Sequence, residues 1–258
     1  MTDRLIDKVA LVTGIGAGIG RGIALAFASE GARVLGCDIN EESARETVED
    51  AAARGTPIES VDASIDLTKP ADVRRYIDSA RESFGRIDIL VNAGAIAPRM
   101  APVSSMDFDT QWSPTIAGEV DLVFLTVHEA WPLLQASGNA SIINFASVAA
   151  MRGSRGIGMT AHSAGKGAIL AMTRQLAVEG ATDGIRANTI APGLVESAAT
   201  ELAGATVGEL REIMVAQTLS GRVGTPQDIA WCAVYLASDE ASWVTGASFA
   251  VDGGTTAV

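Results

Sequence analysis

The chain is poor in several things at once. Aromatic residues fill only 5% of its 258 positions, and there are two cysteines, Cys37 and Cys232. The two thiols lie far apart and show no metal-ligand spacing. Each sits in an apolar segment, so they read as buried free thiols of a reducing cytosol, with no metal site. Positive charge is also short, with 19 Lys and Arg against 31 Asp and Glu and a net charge of −12 at pH 7. Nucleic acid and anionic membrane surfaces both demand a basic face, and no basic stripe offsets the deficit. The acidity reads as a solubility device. No uncharged apolar run approaches the length needed to cross a bilayer, and Met1-Thr2-Asp3-Arg4 carries no apolar signal core. The expectation is a cytoplasmic protein whose partner is a small molecule, not nucleic acid or membrane.

What is present is apolar and glycine-rich: 48% hydrophobic residues and 27 glycines. That is enough to bury a sizeable core. Short apolar runs alternate with amphipathic helical patterns throughout. Strands are expected over 9–13, 33–38, 58–65, 89–91, 141–145, 185–190 and 248–251. Helices are expected over 19–30, 41–54, 71–84, about 115–135, 163–179, about 198–216 and 226–236. Asn40 and Thr225-Pro226 have the chemistry of helix starts. Alternation of this kind implies a parallel sheet covered by helices on both faces, and doubly covered strands read as continuous apolar runs, as these do. No linker, repeat or low-complexity tract divides the chain. The fold class is α/β, a single Rossmann-type doubly wound domain over 1–258, with ligands at the carboxyl ends of the strands.

The most informative stretch is Thr13-Gly14-Ile15-Gly16-Ala17-Gly18-Ile19-Gly20, placed between the run Val9-Ala10-Leu11-Val12 and a helical pattern. Strand, glycine turn and helix N-terminus is the geometry that holds a pyrophosphate. Without Cβ atoms the backbone can approach the phosphates, and the helix end supplies free N–H groups. The spacing is Thr-Gly-x-x-x-Gly-x-Gly, not Gly-x-Gly-x-x-Gly. Glycine turns follow many strands, so the string alone leaves the question open. Asp38 strengthens it. The residue ends the second strand about 20 positions on, where an acid can take the ribose hydroxyls of adenosine and repel a 2′-phosphate. NAD is therefore favoured over NADP, the alternative for Asp38 being a helix N-terminal charge near Asn40. Asp66 follows the third strand and could meet the adenine, or simply cap Asp66-Leu67-Thr68-Lys69-Pro70. Asn92-Ala93-Gly94 ends the fourth strand with small residues that admit a cofactor.

Together these motifs resemble the short-chain dehydrogenase/reductase family. Thr13–Gly20 is similar to its glycine motif and Asn92-Ala93-Gly94 to its Asn-Ala-Gly motif. Ile143-Asn144-Phe145-Ala146-Ser147 resembles the strand that carries its active-site serine, here Ser147. Pro192-Gly193 matches the turn after its sixth strand, with Ser197 where a threonine usually touches the nicotinamide carboxamide. Thr245-Gly246 and Val251-Asp252-Gly253-Gly254 match its C-terminal signature. The resemblance covers the whole chain. It implies about seven strands, a homotetramer, and hydride transfer between NAD(P) and an alcohol or carbonyl. It also implies cofactor contacts from Gly14, Gly18, Ile19, Gly20, Asp38, Asp66, Asn92, Ala93, Gly94, Lys166, Pro192, Gly193 and Ser197.

Two catalytic positions depart from the family. Its proton donor is a tyrosine four residues before a lysine; here the segment is His162-Ser163-Ala164-Gly165-Lys166, with the lysine present and His162 in place of the tyrosine. Counting without a gap from Trp112, the family's active-site asparagine falls at Glu119. The catalytic set is then Ser147, His162, Lys166 and Glu119. An ammonium stabilises a phenolate but disfavours an imidazolium. A neutral imidazole can still accept a proton, so alcohol oxidation remains feasible. Glu119 is expected to pair with Lys166, directly or through water, and to reduce its field at His162, so that the two substitutions compensate. An imidazole also reaches less far than a phenol, so water or a deeper-seated substrate must fill the difference.

Three functions follow. The first is NAD-dependent oxidation or reduction of a small, mainly apolar alcohol or ketone, with His162 as base or acid, Ser147 orienting the oxygen and Lys166 holding the ribose. The second keeps nucleotide binding without turnover, His162 being a relic. The third is non-redox hydration, dehydration or hydrolysis with His162 as base. His128 reads as an interface or core residue. The segment 151–159, with Arg152 and Arg155, either lines the pocket or is a solvated loop. An apolar segment at about 194–218 is expected to cover the substrate or to pack on a neighbouring subunit.

Overall fold

In a computed structural model, residues 3–61, 63–154, 158–197, 200 and 208–258 are described, with the backbone alone at 209 and 210. Seven strands form one parallel sheet: β1 (Val9–Thr13), β2 (Arg33–Cys37), β3 (Glu59–Ser60), β4 (Ile89–Asn92), β5 (Ala140–Phe145), β6 (Ile185–Pro192) and β7 (Ser248–Val251). Their order is β3-β2-β1-β4-β5-β6-β7, every neighbour pair parallel. Six helices matter for the site: α1 (Gly18–Ser29), α2 (Glu41–Ala53), α3 (Pro70–Phe84), α4 (Ser113–Ile116), α5 (Leu122–Ser137) and α6 (Thr160–Glu179). The helices α7 (Gly208–Ala216) and α8 (Pro226–Ala237) follow.

The two-residue period of a strand divides the core. Ala10 and Val12 of β1 join Ile23, Phe27, Ala230 and Val234 on one face, packing against α1 and α8. Val9 and Leu11 join Tyr76, Ile77, Val127 and Leu134 on the other, packing against α3 and α5. Both faces are covered, which is why all five residues of β1 are buried. The chain runs outward from β1 to β2 and β3, then returns to β4 on the opposite side of β1. The crevice at the carboxyl ends of β1 and β4 is the place where such a sheet binds ligands.

Most expected elements appear, with two differences. The third strand shortens from 58–65 to Glu59–Ser60, because β3 is an edge strand whose only partner is β2. Beyond it, among the described residues, single backbone bonds replace the ladder: Val61 N–H to Gly36 O of β2 and Ile65 N–H to Asp38 O just after β2. The helix expected at 115–135 is longer and composite: π-helical Phe108–Trp112, then α4, then π-helical Ala117–Asp121, then α5. The Leu122 N–H reaches back five residues to the Ala117 carbonyl. Single π-turns inside helices often mark functional positions. Asn40 caps α2 by accepting from the Ser43 N–H, and Thr225 with Asp228 forms a reciprocal capping box on α8.

The expected helix at 198–216 is partly outside the described residues; its described part is α7. Arg155 also falls outside them. Cys37 is buried, as expected, but Cys232 is only partly so; both are free.

Candidate active site and nucleotide cleft

The glycine turn brings β1 and β4 together. Gly14 has φ +74°, and a Cβ there would lie 2.7 Å from the Gly94 Cα. A Cβ on Gly20 would lie 2.1 Å from the Gly14 carbonyl oxygen. Both positions demand glycine, and the cradle that their bare backbone forms opens at the N-terminus of α1, as pyrophosphate binding requires. Gly94 N–H donates to Thr13 Oγ1 at 2.8 Å, which ties the two strand ends. Ser197 stands over the same turn: a Cβ on Gly18 would come within 3.1 Å of the Ser197 Cβ. Its hydroxyl is engaged with Thr200, 3.1 Å from Thr200 Oγ1.

A cavity of about 70 Å³ beside Gly14 is lined by Asp38, Ile39, Asp66, Leu67, Thr68 and Gly94, among others. Asp38 accepts the Gly16 N–H through Oδ2 and the Asn40 N–H through Oδ1, each at 2.8 Å. It therefore serves both alternatives read from the sequence, a helix-start charge and a ribose acceptor, since each carboxylate oxygen keeps a second lone pair. Among the described residues no Lys or Arg pairs with it. Asp66 lines this cavity but behaves as a cap. Its Oδ1 accepts from Thr68 N–H and Oγ1, and Lys69 Nζ lies 3.1 Å from Oδ2. Burial works to raise the Asp66 carboxyl, and the bonds from Thr68 and Lys69 outweigh it, holding it below the usual range.

Asn92 turns away from the cleft. It is buried and donates to Asn144 Oδ1 at 2.8 Å, and Asn144 in turn donates to Thr173 Oγ1. Its side chain ties β4 to β5 and, through Asn144, to α6, and its own Oδ1 is buried without a hydrogen-bond partner among the described residues. Ala93 and Gly94, one and two residues on, do reach the cleft.

A second cavity, about 270 Å³, continues along the strand ends and shares Ala95 and Ile96 with the first. Ile19, Ala93, Pro192 and Gly193 line it together with Ser147, His162, Lys166 and Glu119. All four candidate catalytic residues thus meet in one place. Ser147 follows β5 in extended conformation (φ −160°) and caps the next turn by accepting the Ala149 N–H. That leaves its hydroxyl proton free to donate. His162 lies in the first turn of α6. Glu119 lies in the π-turn before α5 and is 1% exposed.

The expected pairing of Glu119 with Lys166 is corrected here. Glu119 Oε1 lies 2.5 Å from His162 Nδ1, whereas Lys166 Nζ donates to the Phe145 carbonyl oxygen at 3.2 Å. Glu119 sits in the π-helical segment, and its carboxylate meets the first turn of α6. Burial pushes the Lys166 ammonium below its ordinary pKa, and the Glu119 carboxylate acts in the opposite direction through space. An ionised carboxylate only accepts, so it holds the proton on Nδ1 and leaves Nε2 with a free lone pair. No hydrogen bond joins Ser147 to His162 among the described residues. Arg152 is not a pocket residue in function: it donates to the Thr255 carbonyl and to Gln217 Oε1, clasping the C-terminal segment. His128 stacks on the exposed Phe124 ring at 5.8 Å, on the outer surface of α5.

Comparison with known proteins agrees with this architecture. Residues 14–256 match the family model described as enoyl-(acyl carrier protein) reductase. The chain is 38% identical to 2-(S)-hydroxypropyl-CoM dehydrogenase 3 of Xanthobacter autotrophicus over 261 residues, covering all of both proteins. It is 37% identical to a short chain dehydrogenase/reductase of Aspergillus oryzae, covering 97% of this chain and 95% of that one. The chain belongs to the short-chain dehydrogenase/reductase family. A crystal structure described as a putative NAD(P)-dependent gluconate 5-dehydrogenase of Beutenbergia cavernae, with NADP bound at low occupancy, superposes with a TM-score of 0.89 at 34% identity over the full length of both. Short-chain dehydrogenase/reductases are oxidoreductases that use NAD(P), and this chain is one of them. No described helix is long and apolar enough to cross a membrane.

The sequence did not disclose two members of the site. The Phe145 carbonyl is the acceptor for Lys166, a backbone role with no residue signature. Gly165 packs against Glu119; its only sequence signal is a glycine beside the family's lysine.

Proposed function

We propose that this short-chain dehydrogenase/reductase oxidises a small, mainly apolar secondary alcohol with NAD, using the Glu119–His162 pair to take the hydroxyl proton. The observation that carries the reading is the 2.5 Å contact between His162 Nδ1 and Glu119 Oε1. With Nδ1 protonated, Nε2 is a base. The imidazolium formed when it accepts the alcohol proton is stabilised by the buried carboxylate behind it. Ser147 donates its free hydroxyl proton to the substrate oxygen. Ser147 and His162 line the same cavity of about 270 Å³, so a substrate oxygen bound there meets both. The lack of a Ser147–His162 hydrogen bond among the described residues counts against Ser147 as a nucleophile activated by His162, which needs direct contact. Lys166 spends one of its three donors on the Phe145 carbonyl and keeps two for the ribose hydroxyls. NAD, when bound, supplies the hydride acceptor.

The preference for NAD rests on Asp38. A second negative charge in the form of a 2′-phosphate would meet its carboxylate with no cation alongside. The bare glycines at 14 and 20 fit the pyrophosphate, and Ser197 faces the same turn. The apolar character of Ile96, Ala97 and Pro98 beside the catalytic group supports a substrate without charge. Exposed Trp243, Trp231, Phe124 and Val178 support a homotetramer, and the free thiols support a cytoplasmic location. Absorbance at 340 nm with a panel of secondary alcohols tests the assignment. NAD-dependent turnover exceeding that with NADP is expected. Calorimetric NAD binding with no turnover on any alcohol or ketone would leave a nucleotide-binding protein instead.

A further inference from the structure

Glu119 would not fit where it does if residue 165 had a side chain. His162, Gly165 and Lys166 are spaced i, i+3 and i+4 on α6, so they share the helix face that meets Glu119. A Cβ built on Gly165 would stand 2.5 Å from Glu119 Oε2, but 3.4 Å from its Cβ and 3.6 Å from its Cδ. Only the carboxylate end is in conflict. That oxygen is buried and has no hydrogen-bond partner among the described residues, so the carboxylate is held by its Oε1 bond to His162 and by the space that Gly165 leaves open. Glu119 is 1% exposed and cannot swing into water. Its remaining freedom is to turn or withdraw the carboxylate, and either movement breaks the 2.5 Å bond to His162 Nδ1.

We infer that Gly165 is a positioning residue for proton transfer, the notch that keeps the Glu119 carboxylate aligned on His162. This rests on the proton-handling role of Glu119 and His162 proposed above. Gly165 has an ordinary helical φ, being absent from the positive-φ glycines, so alanine is permitted by its backbone. Alanine is also the better helix former in a helix interior. The substitution Gly165→Ala therefore separates packing from chemistry: folding should be unharmed or improved while catalysis falls.

The test compares Gly165→Ala, Glu119→Ala and the double variant. In the wild type, proton NMR should show the His162 Nδ1–H as a downfield resonance characteristic of a short bond to a carboxylate. Gly165→Ala should shift that resonance upfield or abolish it, lower kcat for alcohol oxidation about tenfold to a hundredfold, the size of one lost charge-assisted hydrogen bond, and leave the NAD Kd and Tm unimpaired. In the Glu119→Ala background, Gly165→Ala should have no further effect on kcat, since there is no carboxylate left to displace. An unchanged resonance in Gly165→Ala, or rate losses that simply multiply in the double variant, would overturn the inference. The resonance is read without substrate, so it stands or falls apart from the assignment of the reaction: absence of alcohol turnover in the wild type would sink the latter alone.

Discussion

Replacing Glu119 with glutamine keeps the size of the side chain and removes its charge. The carbonyl oxygen of the amide can still accept the Nδ1–H, so the imidazole keeps its tautomer and place. What disappears is the attraction that grows when the ring becomes positive. Losing only the charge assistance of one hydrogen bond is worth about 1.4 kcal/mol, a factor of about ten. Losing the full Coulomb term for charges about 4 Å apart at an effective dielectric of about 20 is worth roughly 4 kcal/mol, close to a thousandfold. The expected fall in kcat for alcohol oxidation lies between these bounds. Among the described residues, the only other titratable group lining that cavity is Lys166, whose charge opposes an imidazolium and therefore does not replace Glu119. The assay is initial rate at 340 nm from acid to alkaline pH, with the NAD Kd measured alongside to confirm an intact cleft. A variant with the wild-type kcat across that range would refute the reasoning.

Other outcomes follow from the same structure. Asp38→Asn removes the charge that faces the ribose and keeps an acceptor for only one of the Gly16 and Asn40 N–H groups; discrimination between NAD and NADP in kcat/KM should narrow about tenfold or more, and equal ratios before and after would contradict the role of Asp38. Asp228→Asn breaks the pairing with Arg222 and weakens the Thr225 cap of α8, which should cost about 1–2 kcal/mol near pH 7 in urea denaturation. The Arg222 guanidinium, then the Thr225 N–H, hold the Asp228 carboxyl well below the usual carboxylate range. Its contribution is thus present above the unfolded carboxyl pKa and lost as pH falls, so the difference between variant and wild type should shrink below about pH 4. Burial pushes the Cys37 thiol far up and the Cys232 thiol to about 11. Neither should react rapidly with an aromatic disulfide reagent at pH 8 in the native protein, whereas denaturation should release two thiols per chain.

The parts of this molecule that could be read from the chain were those written in periodicity and in glycine. The apolar runs of β1, β2, β4, β5 and β6 announce doubly covered strands, and Thr13–Gly20 announces the turn. The edge strand β3 was overestimated because apolar residues from Ile58 to Ile65 are buried by contacts other than a sheet ladder: Ile58 packs with the α1 face of the core and Ile65 with the α3 face. The gap-free count from Trp112 did reach Glu119, yet its partner was misjudged. A π-turn leaves no mark in hydrophobic spacing, and Glu119 sits in one. Asn92 has a structural role that its motif does not announce: at the end of a central strand its side chain donates to Asn144 and ties β4 to β5. Gly165 could not have been weighed without knowing what lies opposite.

The central claim, that an imidazole braced by a carboxylate carries the proton in this family member, is tested most directly by removing the imidazole and returning it in solution. His162→Ala should lower kcat for alcohol oxidation by about a hundredfold to ten-thousandfold at an unchanged NAD Kd, and added imidazole should restore part of the rate in a saturable way. Turnover by His162→Ala at the wild-type rate, with imidazole making no difference, would contradict the claim.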